Sequence, residues 1–375
     1  MKHTPYYLYD TELFRRTVET AKAEASVIDN SHIHFAIKSN NNHKLVNIAA
    51  QEGLGADCVS GPEIAHAIAC GIPANKIMFA GVGKTDEEIT LAIQNGIECF
   101  NVESIPELTV IDELAASMNK TVNVAFRINP NVDAHTHANI TTGLEENKFG
   151  ISMRDMVDTV RLAKTMHNVR YVGLHFHIGS QVLEFTCFEN LSKQINILQA
   201  ELESAGITDT KIINVGGGLG VDYDNPMSNL IPDFRGYFKV YKDNLQLRPG
   251  QALHFELGRS LCAQCGELIC KCVYVKDTAQ KKFAILDGGM SDLIRPALYG
   301  AHHKIVNLTG DEEGRPTMKY DVVGPICESS DVFDKDVFLS EVRRGDILSI
   351  KSAGAYGFVM ASAYNLRKLP LEVLK

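Results

Sequence analysis

No apolar run in this sequence reaches 18 residues, which leaves no candidate for a membrane-spanning helix. The first residues, Met1-Lys2-His3-Thr4-Pro5, lack the apolar core of a signal peptide, so the expected location is the cytoplasm. There is no excess of basic charge either. Lys and Arg number 37 against 46 Asp and Glu, a net charge of −9, which argues against a nucleic-acid surface and suits a soluble metabolic protein. No internal repeat or low-complexity segment is present. The glycine clusters lack G-x-G-x-x-G spacing and no G-K-[ST] follows them, which counts against a dinucleotide or a P-loop nucleotide. Nine cysteines, an odd number, fit reduced thiols better than a disulfide framework. A zinc site at Cys262, Cys265, Cys270 and Cys272 is conceivable by spacing. However, Cys270 and Cys272 sit in the alternating run Leu268–Val275, which reads as a strand with small buried thiols, so no metal is expected.

What is present is a regular alternation in a chain of 375 residues, 45% of them apolar, long enough to bury a large core. Strand-like runs fall at Ile33–Lys38, Ala56–Ser60, Lys76–Ala80, Cys99–Val102, Val122–Asn129, Val169–Ile178, Ile212–Val215 and His254–Glu256. Helix-period runs lie between them, among them Pro62–Cys70, Thr85–Asn95, Pro106–Met118, Met153–Met166, Phe185–Gly206 and Phe234–Asn244. Eight strands alternating with helices over about 230 residues is the arithmetic of an α/β fold of the (β/α)8 TIM-barrel type, expected over residues 25–260; a doubly wound sheet is the alternative. Beyond residue 260 short alternating runs (Glu267–Val275, Lys282–Leu286, Lys319–Val323, Ile347–Ile350) predict a mainly β domain, residues 261–375. The preceding residues 1–24, with the strand Tyr6–Tyr9, are expected to join it.

In such barrels chemistry collects on the loops after the strand C-termini. Lys38 ends the first expected strand, where a desolvated amine becomes a nucleophile, although a lysine there is commonly a snorkelling surface residue. Asp57 and Ser60 belong to the second strand. His177, Gly179 and Ser180 end the sixth, with His175 two residues earlier on the same face. Gly216, Gly217 and Gly218 follow the seventh, where they form either a plain turn or a close backbone approach to a phosphate. Glu256, Gly258 and Arg259 end the eighth. A buried Glu256 is costly unless paired, and a protonated ring nitrogen is one such partner. An amine, phosphate donors, a flat ring and a carboxylate are the requirements of pyridoxal 5'-phosphate.

The order of motifs is similar to a known family. Phe35-Ala36-Ile37-Lys38-Ser39-Asn40, Gly55-Ala56-Asp57-Cys58-Val59-Ser60, His175-Phe176-His177-Ile178-Gly179-Ser180-Gln181, Gly216-Gly217-Gly218 and Glu256-Leu257-Gly258-Arg259 come first. Asp287-Gly288-Gly289-Met290, Arg295-Pro296-Ala297-Leu298-Tyr299, Gly324-Pro325-Ile326-Cys327-Glu328-Ser329, Gly354-Ala355-Tyr356-Gly357-Phe358 and Tyr364-Asn365 follow. Across nearly its whole length the chain resembles the alanine-racemase-like pyridoxal-phosphate enzymes, and within them the diaminopimelate decarboxylase family. The resemblance implies a barrel plus β-domain fold and a homodimer whose active sites are completed across the interface. It implies Lys38 as the Schiff-base lysine, His177 stacked on the cofactor ring, Ser180 and Gly216–Gly218 on the phosphate, and Glu256 at the pyridine nitrogen. Asp57, Gly258, Arg259 and Tyr356 complete the cofactor surroundings. Arg259, Arg295 and Tyr299 would bind substrate carboxylate, Glu328 the distal amine, and Tyr356 cofactor or substrate. Cys327, from the partner subunit, would return the proton after CO2 loss. Leu257 stands where the family pattern has proline, a change that frees φ and adds an N–H.

The reaction so implied is decarboxylation of meso-2,6-diaminopimelate to L-lysine. Two arginines and one acid supply the charges for a distal zwitterion, although Arg295 and Glu328 are also compatible with structural ion pairing. Rivals are decarboxylation of an ornithine- or arginine-type or carrier-bound amino acid, racemisation, and a non-catalytic cofactor-binding homologue. Glu256 opposes racemisation, which is suited by an unprotonated ring nitrogen. The loop 129–150, with His135 and His137, is a lid candidate whose histidines read as solvated.

Overall fold

The structure, a computed structural model, describes residues 3–131 and 148–375. The candidate lid loop 129–150, including His135 and His137, lies for the most part outside the described residues. The chain divides into two compact units, one formed by Arg15–Gly220 with Asp233–Gly258 and the other by Met1–Phe14, Val221–Pro232 and Arg259–Lys375.

In sequence order the strands are β1 (Tyr6–Tyr9), β2 (Ser31–Ala36), β3 (Gly55–Cys58), β4 (Ile77–Phe79), β5 (Cys99–Val102), β6 (Val122–Asn129), β7 (Ile151–Ser152), β8 (Val169–His175), β9 (Ile212–Asn214) and β10 (Ala252–Leu257). In the first unit β2, β3, β4, β5, β6, β8, β9 and β10 pair in that order, all parallel, and β10 pairs back with β2. That closure makes a (β/α)8 barrel and rules out the open doubly wound sheet. Strands β3, β4 and β5 are buried at every position, as parallel strands covered by helices must be. Inside the ring Met78, Cys99, Ala125 and Val172 pack together against Ile212.

The helices begin where local chemistry satisfies their first N–H groups. Ser60 caps the helix Gly61–Ala69 and Ser104 caps Ile105–Ser117, each followed by a proline in the first turn. In both, the third helical residue reaches back to the chain: Glu63 Oε2 accepts from Val59 N and Glu107 Oε2 from Glu103 N, each at 2.7 Å. Thr85 and Glu88 form a full capping box. Ser60 is therefore engaged as a helix cap.

Several strand ends differ from expectation by one to three residues, and two of these differences bear on the site. β2 stops at Ala36, and Lys38 sits in the one-turn helix Ile37–Ser39 that follows. β8 stops at His175, so His177 lies on the loop beyond it. Both shifts carry the side chain, Lys38 or His177, off the ladder and onto the mouth.

The second unit continues with β11 (Gly266–Asp277), β12 (Lys282–Leu286), β13 (Ile305–Asn307), β14 (Thr317–Val323), β15 (Val332–Ser340), β16 (Ile347–Ile350) and β17 (Leu371–Leu374). They form one sheet in the order β13-β16-β11-β12-β14-β15. The N-terminal strand β1 joins it, as expected, pairing antiparallel with β11 and parallel with β17. A register shift between Cys272 and Tyr274 lets the long β11 serve different partners along its length.

Candidate active site

The barrel mouth is organised around one buried carboxylate. Glu256 Oε1 accepts from Asn101 Nδ2 at 3.0 Å and from Asn214 Nδ2 at 2.7 Å, and Oε2 lies 3.1 Å from His175 Nε2. Three strands, β5, β9 and β8, thus aim one donor each at β10. Burial by itself would raise the Glu256 pKa. His175, Lys38 and His177 outweigh it and hold the carboxyl well below the usual carboxylate range. Of about four acceptor positions on a carboxylate three are taken, so Oε2 keeps one for a further donor.

Lys38 Nζ donates to Asp57 Oδ2 at 2.8 Å, and Asp57 is wholly buried. Burial, then the Glu256 charge, push the Asp57 pKa up, while Lys38 pulls it down. Three buried polar atoms in this region have no hydrogen-bond partner among the described residues: Asp57 Oδ1, Asn101 Oδ1 and His175 Nδ1.

His177 Nδ1 accepts from Gly217 N at 3.2 Å, which orients the ring. Loss of hydration, reinforced by Lys38 and Arg127, pushes the His177 pKa well down, so the imidazole is neutral. The triple glycine is required by its surroundings. A Cβ on Gly216 would meet Phe176 O at 2.4 Å and one on Gly217 would meet Glu256 O at 2.1 Å; Gly216 and Gly218 also have φ of +69° and +115°. Asn214 Oδ1 takes the Gly216 N–H at 2.9 Å, so Asn214 fixes both the glycine turn and Glu256. Gly258 is held to glycine by Ser39 and Ala36, whose atoms lie 2.9 and 3.1 Å from its Cβ position. Leu257 is buried and stands in register with Phe35 of β2. Ser180 is half-buried on the loop after β8.

Within the other unit a second group forms around Tyr223. Arg259 Nη1 donates to the Tyr223 hydroxyl at 2.8 Å and its guanidinium lies 5.0 Å from the centre of the Tyr356 ring. Arg295 lies over the Tyr223 ring at 4.9 Å, and its Nη1 is 2.7 Å from His303 Nε2. His303 Nδ1 faces the Lys351 carbonyl at 2.9 Å, so Nδ1 carries the proton and Nε2 accepts. Burial, then Arg295, push the His303 pKa down to about 3. Both arginines are buried, and Arg295 has no ion-pair partner among the described residues. A buried guanidinium paired only with neutral groups is a place for an anion. Tyr356 holds a left-handed φ of +55°, a conformation that costs a non-glycine residue of order 1–3 kcal/mol. Tyr299 is half-buried in the short helix Arg295–Tyr299.

Cys327 and Glu328 lie on an exposed loop of the same unit. Cys327 N donates to Asn365 Oδ1 at 3.1 Å, and a hydrogen bond to the Glu328 carboxylate raises the Tyr364 pKa. Asp331 anchors the loop by accepting from Ile326 N and Met290 N, each at 2.6 Å. Gly289 and Gly324 leave room for that carboxylate. The other cysteines behave as small core residues. Cys265 Sγ donates to Cys262 O at 3.1 Å, and Cys270 and Cys272 are buried along β11.

Asn101, Asn214, Tyr223 and His303 escaped the sequence reading. The asparagines lie within strand runs with no motif around them, and Tyr223 belongs to a segment without periodicity.

Residues 13–263 match the family model described as pyridoxal-dependent decarboxylase, pyridoxal binding domain. The chain is 58% identical over 367 residues to diaminopimelate decarboxylase of Bacteroides thetaiotaomicron, covering 98% of this chain and 94% of that protein. The crystal structure of diaminopimelate decarboxylase from Helicobacter pylori complexed with L-lysine superposes with a TM-score of 0.93 at 38% identity, covering 100% of this chain and 92% of that one. The M. jannaschii enzyme in co-complex with L-lysine gives 0.88 at 37% identity, covering 99% and 87%.

Proposed function

The chain belongs to the diaminopimelate decarboxylase family of pyridoxal-dependent decarboxylases, and we infer from that membership that it converts meso-2,6-diaminopimelate to L-lysine and CO2. The observation that carries the reading is the Glu256 carboxylate, held anionic by three strands with one acceptor position to spare.

The residues fit pyridoxal 5'-phosphate. Lys38 would hold it through Nζ, the Gly216–Gly218 cradle and Ser180 would receive its phosphate, His177 would lie against its ring, and Glu256 would face its nitrogen. Asp57, with one oxygen on Lys38 and the other without a partner among the described residues, suits a site that must position an amine. When bound, the cofactor supplies an electron sink for the pair left on carbon as the C–CO2⁻ bond breaks. Everything else falls to the protein. Glu256 keeps the ring nitrogen protonated, Arg259 and Arg295 carry the charge that suits a substrate carboxylate, with Tyr299 and Tyr356 beside them, and Glu328 suits the distal ammonium. One proton must return to the carbon that lost CO2; we assign it to the Cys327 thiol of a second copy of this chain.

A homodimer is part of this reading. Cys327 and Glu328 are exposed, and Tyr364, Leu366, Leu369, Leu371 and Leu374 of the C-terminal segment leave apolar surface uncovered. A biosynthetic reaction on small polar metabolites suits a cytoplasmic location, which is part of this reading. No helix among the described residues is long and apolar enough to cross a membrane, and the acidic net charge argues against a nucleic-acid surface.

Borohydride reduction of the holoenzyme followed by peptide mass spectrometry tests the assignment. The reading expects the pyridoxyl label on the peptide containing Lys38 and no label in Lys38→Ala; a label on another lysine contradicts it.

A further inference from the structure

The barrel interior carries a second group of ligand-type side chains, toward the N-terminal ends of the strands and away from Lys38. His34 on β2 and His254 on β10 face each other, with Nε2 and Nδ1 2.9 Å apart. Glu98, in the residue before β5, brings a carboxylate oxygen to them, and the three ligand atoms lie within 4.8 Å of one another.

The details are those of a coordination site. His34 Nδ1 lies 3.2 Å from the Lys76 carbonyl, which can only accept, so Nδ1 carries the proton and Nε2 presents its lone pair inward. A backbone carbonyl behind the far nitrogen is how metal-binding histidines are oriented. Gly55 makes the arrangement possible, because a Cβ there would sit 2.3 Å from both His34 Nδ1 and Lys76 O. Burial pushes the pKa of His34 down to about 4 and that of His254 well below its ordinary value, so both imidazoles are neutral. The half-buried Glu98 carboxylate has no hydrogen-bond or ion-pair partner among the described residues. Burial raises the Glu98 pKa to about 7 against the pull of the Lys76 charge, and a cation held between this carboxyl and the two neutral rings would favour its charged form.

We propose that His34, His254 and Glu98 bind one first-row divalent cation, of which zinc is the best match, at the N-terminal face of the barrel. Two imidazole nitrogens and one carboxylate oxygen are an established zinc ligand set, with water in the fourth position. That water would reach the site from an open groove lined by Asn30, His32, His34, Lys76 and Glu98. At a zinc–nitrogen distance of about 2.05 Å the present spacing subtends roughly 90°, and a modest rotation of His254 opens it toward tetrahedral. His254 Nδ1 now donates to His34 Nε2; to ligate through Nδ1 the ring gives up that proton and takes one at Nε2, changing tautomer. His32 and Lys76 also face the group: the His32 ring centre is 4.8 Å from that of His254, and Lys76 Nζ is engaged by Gly53 O at 3.1 Å. The cation would join β2, β10 and the entry to β5, on the face of such barrels where residues serve stability rather than chemistry.

Zinc titration of the holoenzyme, with metal content read after desalting, tests the site against Glu98→Gln and His254→Gln. Wild type is expected to retain one zinc per chain, and Glu98→Gln to bind about tenfold or more weakly while keeping its circular dichroism spectrum. Zinc should raise the thermal midpoint of wild type but not of Glu98→Gln. Cobalt(II) in the same site should show d–d bands without thiolate charge transfer. Equal zinc retention by wild type and Glu98→Gln, no retention by wild type, or a thiolate band would each overturn the proposal.

Discussion

Lys38 Nζ stands 2.8 Å from Asp57 Oδ2, an amine whose side chain is 35% exposed against a carboxylate with no exposure at all. The buried partner stands on β3 and the part-exposed one on a single helical turn. If Lys38 holds the cofactor as proposed, Asp57 is its positioning residue. Asp57→Asn removes a charge-assisted hydrogen bond, of order 1.5–3 kcal/mol, and should lower kcat about 10- to 100-fold with the fold intact. It should also shift the pH dependence of the bound cofactor's absorbance, which mere loss of packing would leave in place. Steady-state kinetics and a spectral pH titration check both.

Glu63 gives a pH prediction with a definite sign. Burial first, against a hydrogen bond from Val59 N, raises its pKa to about 7. Because the folded value lies above the unfolded one, the carboxyl favours folding while protonated, fully below the unfolded pKa. That contribution is lost as the pH rises through 7. With partial exposure discounted, the loss is about 1–3 kcal/mol. Glu63→Gln should match wild type near pH 5 and exceed it in urea unfolding midpoint by pH 8.5. A gap that does not change with pH contradicts the assignment.

Leu366 is 97% exposed and holds a left-handed φ of +57° next to Asn365, whose side chain carries Cys327 N. If a second copy of the chain covers this surface, Leu366→Glu should shift the protein to monomer in sedimentation. It should also lower the decarboxylation rate while leaving the cofactor bound through Lys38. A variant that stays dimeric and fully active places the interface elsewhere.

The barrel was legible because its strands are short, apolar and separated by capped helices. Ser104-Ile105-Pro106-Glu107 and Thr85-Asp86-Glu87-Glu88 mark starts that the structure shows in hydrogen bonds. Lys38, Glu256 and the triple glycine stood out as residues that cost something where they are. What supports them did not. Asn101 and Asn214 look like ordinary strand residues until the barrel closes and brings β5 and β9 to bear on Glu256. Tyr223 sits between two buried arginines that are far apart in sequence, and no local pattern announces such a meeting. The ends of β2 and β8 were drawn too long for the same reason: Ile37 and Phe176 continue the apolar run, but the chain turns there to form the mouth.

The most direct test of the central claim is the product formed from meso-diaminopimelate by the enzyme with pyridoxal phosphate. The account predicts L-lysine and CO2 in equal amounts, with turnover of ornithine and arginine far slower. Faster release of CO2 from ornithine, or no lysine from meso-diaminopimelate, would contradict it.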